Sequence, residues 1–209
     1  RANDSADTRA KVGHRQTIQK KSPASSEAGL FYRVNAFGYH QGTHYRVRGT
    51  AMKFKAAILR KAGMPRPYAA SRPLLIETVE VPPPAAGEVI VAIKAASLCH
   101  SDLSVVNGDR AWPMPIVPGH EAAGIVEEVG PGVHSVKPGD HVALIFLTQC
   151  GECEHCIEGR PSLCARGTQA NREGRLLTGG PRLRLDGQAV HHHMGLSAFA
   201  EFALVSEKS

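Results

Sequence analysis

The sequence predicts a mainly β fold, a barrel or sandwich of short strands with few helices, and three observations carry that expectation. Apolar residues alternate in short runs that end at Pro or Gly. The 209 residues include 21 Gly and 14 Pro but only 5% aromatics, which favours strands joined by tight turns over a helical bundle. Four of the five cysteines, Cys150, Cys153, Cys156 and Cys164, stand at the spacing C-x2-C-x2-C-x7-C. Short turns at that spacing can bring four thiolates onto one tetrahedral zinc with no position left for water, so this is a structural lobe and not a reactive one. A disulfide knot, an iron–sulfur site or redox thiols could use the same residues; zinc is favoured because no secretory signal is apparent.

Residues 1–51 hold nine Lys/Arg against three Asp/Glu, while residues 52–209 hold sixteen of each, so the formal +6 falls wholly on the first segment. A basic face for nucleic acid has no place on the part with a folding pattern. The first segment is polar and patternless, which predicts a disordered extension, or upstream sequence read through ahead of a start at Met52. It has no apolar core of a signal peptide, Asp4, Asp7 and Glu27 count against a transit peptide, and no run in the chain is long enough to span a bilayer. The expectation is a cytoplasmic protein with no nucleic-acid or membrane partner.

Alternation begins at Lys53. Residues 53–59 and 74–81 read as strands, the second ended by Pro82, Pro83 and Pro84, which cannot donate to a ladder. Residues 88–96 form the clearest strand and deliver the chain to Cys99. Residues 124–130 and 140–145 add two more, punctuated by Pro131-Gly132 and Pro138-Gly139. The cysteine lobe covers residues 148–166 or so, and residues 165–181 read as an Arg- and Gly-rich loop. Residues 182–190 read as a hairpin, because Asp186-Gly187 suits a turn whose central residues need positive φ. Residues 199–205 make a last strand.

The fifth cysteine stands in Cys99-His100-Ser101-Asp102, and Gly119-His120-Glu121 follows. A catalytic zinc takes three protein ligands and keeps a position open, and a ligating histidine places its other ring nitrogen on a carboxylate or carbonyl. Cys99 and His120 are therefore candidate ligands, with Asp102 the candidate partner. A packed cysteine, a satisfied core histidine and a helix-capping aspartate fit the same residues.

Residues 53–209 resemble the zinc-dependent medium-chain alcohol dehydrogenases, specifically their GroES-like N-terminal catalytic domain. Gly119-His120-Glu121-Ala122-Ala123-Gly124, then Gly130 and Val133, resembles that family's signature G-H-E-x2-G-x5-G-x2-V, and the four-cysteine spacing and Pro138-Gly139-Asp140-His141-Val142 agree with it. The resemblance implies a GroES-like, partly open β-barrel over residues 52–209. It implies that Cys99 and His120 bind a catalytic zinc, that Glu121 lies close behind the metal, and that Asp102 orients His120. Ser101 would take the alcohol proton, His100 would lie near the pyrophosphate of NAD or NADP, and Cys150, Cys153, Cys156 and Cys164 would bind a structural zinc. The implied reaction moves hydride between an alcohol or aldehyde and NAD(P) through a zinc-bound alkoxide, in a protein that is a homo-oligomer at full length. Zinc suits it by lowering the pKa of a bound water from about 15.7 to about 7.

Two features depart from that pattern. Ser104 stands where many family members carry a histidine that relays the proton to solvent. No G-x-G-x-x-G occurs, so the nucleotide-binding domain and the third protein ligand of the catalytic zinc are expected beyond Ser209. The chain alone is then expected to be an inactive fragment that holds about one zinc tightly. Trp112, Pro113, Met114 and Pro115 are expected to shape the substrate side, and His191, His192 and His193 to form a loop there whose diverging side chains do not share a metal. The alternative is a zinc-stabilised GroES-like binding module with no redox role. A nucleic-acid-binding zinc ribbon is disfavoured, because Glu152, Glu154 and Glu158 oppose Arg160.

Overall fold

The computed structural model describes residues 50–209. The expectation for residues 1–49 lies outside the described residues.

Strand β1 (Met52–Leu59) pairs with β2 (Leu74–Val81) in an unbroken antiparallel register from Met52↔Val81 to Leu59↔Leu74. Between them a short helix α1 (Tyr68–Ser71) turns the chain. In strand β3 (Glu88–Ala96) the apolar run from Val89 to Ile93 is buried throughout, as a run apolar on both faces requires, and Glu88 is buried ahead of it beside Arg182. The strand leads into helix α2 (His100–Val106), and the chain then returns through the two-residue strand β4 (Ile116–Val117) and β5 (Ala122–Val129) to β6 (His141–Leu144). The cysteine lobe holds α3 (Glu154–Ile157) and a 3-10 turn (Pro161–Leu163), and α4 (Ala165–Arg172) follows. Strands β7 (Leu183–Leu185), β8 (Gln188–His192) and β9 (Phe202–Ser206) complete the fold.

Two sheets result. One is a ring, β1-β2-β7-β8-β4, closed back to β1 by the single pair Leu59↔Ile116. The other is a four-stranded sheet ordered β6-β5-β3-β9. A bridge at Ala56↔Ala200 joins them, with Ala57 N–H donating to Phe199 O at 2.8 Å. Phe54, Ile58, Val79, Ile90, Val190 and Leu204 form the core between the sheets. Each such aliphatic side chain contributes about 1.5–3 kcal/mol on burial. A second cluster, Leu59, Val105, Val106 and Ile116 with Trp112 packed on it, fixes α2 against β1 and β4.

The signature glycines serve close packing. A Cβ at Gly119, where φ is +92°, would stand 2.6 Å from the Phe199 ring. One at Gly124 would lie 2.3 Å from Ala92 O, and one at Gly130 1.9 Å from Ala85 O. No side chain fits either place.

Several expectations need correction. The stretch 165–181 is not all loop, because α4 occupies Ala165–Arg172, capped where Cys164 Sγ accepts from Gly167 N–H at 3.2 Å. The last strand begins at Phe202, not 199, since residues 198 and 199 hydrogen-bond instead to Gly119 and Pro118. His191 and His192 lie in β8 and not in a loop, paired in parallel with Ile116 and Val117. The Asp186-Gly187 turn has positive φ at both residues, 49° and 79°, as its composition requires. No helix among the described residues is long and apolar enough to cross a membrane.

Candidate metal centres

The first centre is built where β3 runs into α2. Cys99 is the N-cap of α2, and Asp102, at the third helical position, completes a capping box by accepting Cys99 N–H at 3.0 Å. The capping role and the site role belong to the same aspartate. Its other oxygen, Oδ1, accepts Gly119 N–H at 3.1 Å and lies 3.1 Å from His120 Nδ1. Asp102 thus clamps the two segments that carry Cys99 and His120.

Asp102 is 3% exposed and His120 2%. Burial alone would raise the Asp102 carboxyl, but the contacts from His120, His193 and Cys99 N–H outweigh it and hold the group far below the usual carboxylate range. The same carboxylate raises His120. Cys99 is lowered, first by the backbone N–H of Ser101 and then by its hydroxyl, whose Oγ lies 3.6 Å from Sγ. With Nδ1 turned to Asp102, His120 presents Nε2 to the other side, 4.0 Å from Glu121 Oε1. Cys99, His120 and Glu121 offer ligand atoms that all lie within 4.8 Å of one another. Thiolate, imidazole and carboxylate form a donor set suited to zinc.

The second centre is the cysteine lobe. Sγ–Sγ distances are 3.9 Å for Cys150–Cys156, 3.6 Å for Cys153–Cys156 and 3.9 Å for Cys153–Cys164. A tetrahedron with zinc–sulfur bonds of about 2.3 Å has edges of about 3.8 Å, whereas a disulfide needs about 2.05 Å. All four cysteines are free thiols. Backbone N–H groups point at the sulfurs: Cys150 at Cys164 Sγ and Cys153 at Cys150 Sγ, each at 3.3 Å. The N–H of Cys156 leads in pulling Cys153 down to about 6, while burial pushes Cys156 up to about 11. Four sulfurs so close cannot all ionise without a cation among them.

Residues 85–209 match the family described as the alcohol dehydrogenase GroES-like domain. The chain belongs to that family. Curated relatives include S-(hydroxymethyl)glutathione dehydrogenases of Escherichia coli strains, 40% identical over 159 residues that make up 76% of this chain and 41% of the relative. Among solved structures, an alcohol dehydrogenase zinc-binding domain protein from Burkholderia ambifaria is 35% identical with a TM-score of 0.64, covering 75% of this chain and 40% of that one. Benzyl alcohol dehydrogenase from Acinetobacter calcoaceticus is 30% identical with a TM-score of 0.62 over the same shares. The chain spans about two fifths of the length of the relatives it matches.

In this GroES-like domain the remaining expected residues are dispersed around the first centre. Ser101 is half-buried beside Cys99, and His100 is exposed on α2. The Ser104 hydroxyl turns back onto the helix and donates to His100 O at 3.0 Å. The three consecutive histidines were expected in a loop at the substrate side with no shared metal, and His193 lies at the first centre: Asp102, His120 and His193 form a further buried group with ligand atoms within 4.8 Å. The side chains do diverge. His192 Nε2 accepts from Arg182 N–H at 3.2 Å, so only His193 turns toward Asp102. The usable signal was the run of histidines itself, combined with the alternation of strand faces.

Proposed function

We propose that this chain is the catalytic domain of a zinc-dependent oxidoreductase that moves hydride between an alcohol or aldehyde and NAD(P). The observation that carries the reading is the two-sided placement of His120, with Nδ1 on Asp102 at 3.1 Å and Nε2 facing Cys99 and Glu121. Cys99 and His120 hold the catalytic zinc, with Glu121 as the neighbouring carboxylate. When bound, that ion supplies a Lewis acid that eases loss of the alcohol proton or polarises an aldehyde carbonyl. Asp102 keeps His120 in the Nδ1–H tautomer so that the Nε2 lone pair is free for the metal. Ser101 Oγ, beside Cys99, receives the substrate proton, and exposed His100 approaches the cofactor pyrophosphate. Cys150, Cys153, Cys156 and Cys164 hold a structural zinc.

The named substrates of the relatives, S-(hydroxymethyl)glutathione and benzyl alcohol, make primary alcohols the first class to try. Five free cysteines suit a reducing compartment, and we place the protein in the cytoplasm on that ground. A metal assay tests the site. With zinc filling the lobe, Co(II) added to the chain is expected to give a thiolate charge-transfer band that Cys99→Ser and His120→Asn each abolish. A band untouched by either substitution sinks the assignment.

A further inference from the structure

Behind His120 stands a second imidazole that the proposed mechanism leaves unused. His193 follows β8 directly and is wholly buried. A strained turn sets its position: Met194, Gly195 and Ser197 have φ of 51°, 70° and 57°, and the His193 N–H donates to Ser197 Oγ at 3.0 Å. The ring stands edge-on between Trp112 and His120, at centroid distances of 4.9 and 5.1 Å. Its Nδ1 lies 3.2 Å from Asp102 Oδ1 without the alignment of a hydrogen bond, and neither Nδ1 nor Nε2 has a hydrogen-bond partner among the described residues.

Nδ1 of His193 either carries a proton or turns a bare lone pair toward Asp102 Oδ1. A bare Nδ1 would set a lone pair against a carboxylate oxygen at 3.2 Å, whereas a protonated Nδ1 meets it favourably. The proton therefore belongs on Nδ1. Three donors then converge on Asp102 Oδ1: Gly119 N–H, His120 Nδ1–H and His193 Nδ1–H. One oxygen has two lone pairs. A carboxylate on the outer nitrogen makes a ligating histidine more basic, and a carboxylate shared with another donor does so less.

We propose that His193 is a positioning residue that competes with His120 for Asp102, weakens His120 Nε2 as a metal ligand and so leaves a bound metal the stronger Lewis acid. The proposal rests on the metal reading of Cys99 and His120. Two substitutions test it: H193F keeps ring volume without a donor, and H193N restores an N–H near the place of Nδ1. In the 15N-labelled chain carrying one equivalent of zinc, long-range correlations are expected to show His193 as the Nδ1–H tautomer. H193F should move the His120 Nδ1 proton downfield, and H193N should leave it near its original shift. Co(II) at Cys99 and His120 should bind H193F about three- to tenfold more tightly, a fraction of the roughly 10–100-fold that an outer partner is worth.

A histidine that merely packs predicts the reverse: an unmoved His120 proton, or looser Co(II) in H193F. Either result overturns the proposal, as does H193N behaving like H193F. An Nε2–H tautomer in the unsubstituted chain overturns it with no variant required. If the unsubstituted chain takes up no Co(II) at Cys99, the metal reading fails separately, and the His120 proton shift still decides whether His193 competes for Asp102.

Discussion

At the scale of single residues, the site depends on one carboxylate that serves three segments. Asp102→Asn keeps one acceptor oxygen but turns an amide N–H₂ toward a backbone donor. Leaving one buried donor unpaired costs about 1–3 kcal/mol. Urea unfolding should show that loss, with Co(II) affinity at Cys99 falling about 10–100-fold. His192 supplies a pH signature away from the ligands. Burial leads, with the charges of His191 and Arg182 adding to it, in pushing His192 down to about 3, below the ordinary value of about 6.5. The unfolded chain therefore binds the proton first as pH falls. The stability this gives is full above about 6.5 and is lost as pH drops toward 3, by up to about 1.36 kcal/mol per unit. His192→Gln, which can still accept from Arg182 N–H, should flatten the slope of stability between about pH 6 and 5 by about 1 kcal/mol per unit. An unchanged slope would place that proton linkage elsewhere. Cys99, His120 and Asp102 could be singled out in the sequence because they stand in the motifs that carry the family resemblance. The run of histidines marks the neighbourhood of His193, but its contact with Asp102 depends on the pairing of β8 with β4 and on a strained turn, neither of which leaves a local pattern.

At the scale of elements, the strands were legible wherever alternation ran long enough. β1, β2, β3 and β5 each exceed seven residues and were found nearly to their ends. β4 has two residues and no period to detect. α4 was hidden by its Arg, Gly and Asn content, and holds through the Cys164 cap and the approach of Gly167 to Thr148 O, where a Cβ would lie at 1.9 Å. The signature glycines separate two physical reasons for glycine. Gly130→Ala drives a Cβ into Ala85 O, and should cost at least about 3 kcal/mol in urea unfolding or prevent folding. Gly132→Ala meets no atom within 4 Å and carries only the strain of φ +77°, about 1 kcal/mol. Equal losses at the two positions would mean that close approach is not what the signature encodes.

For the whole molecule, two sheets carry the core and the cysteine lobe is an attachment with its own metal chemistry. The lobe was legible from spacing alone, and the sulfur–sulfur distances near 3.8 Å supply the geometry that spacing could not. Cys153→Ser should release the structural zinc and lower the thermal midpoint, whereas Cys99→Ser should leave both near their original values. The chain spans about two fifths of the length of the relatives it matches. The decisive measurement is reduction of NAD or NADP by the protein over a panel of primary alcohols. Turnover that a chelator stops and that Cys99→Ser or His120→Asn abolishes is the predicted result; turnover that survives both substitutions would contradict the account.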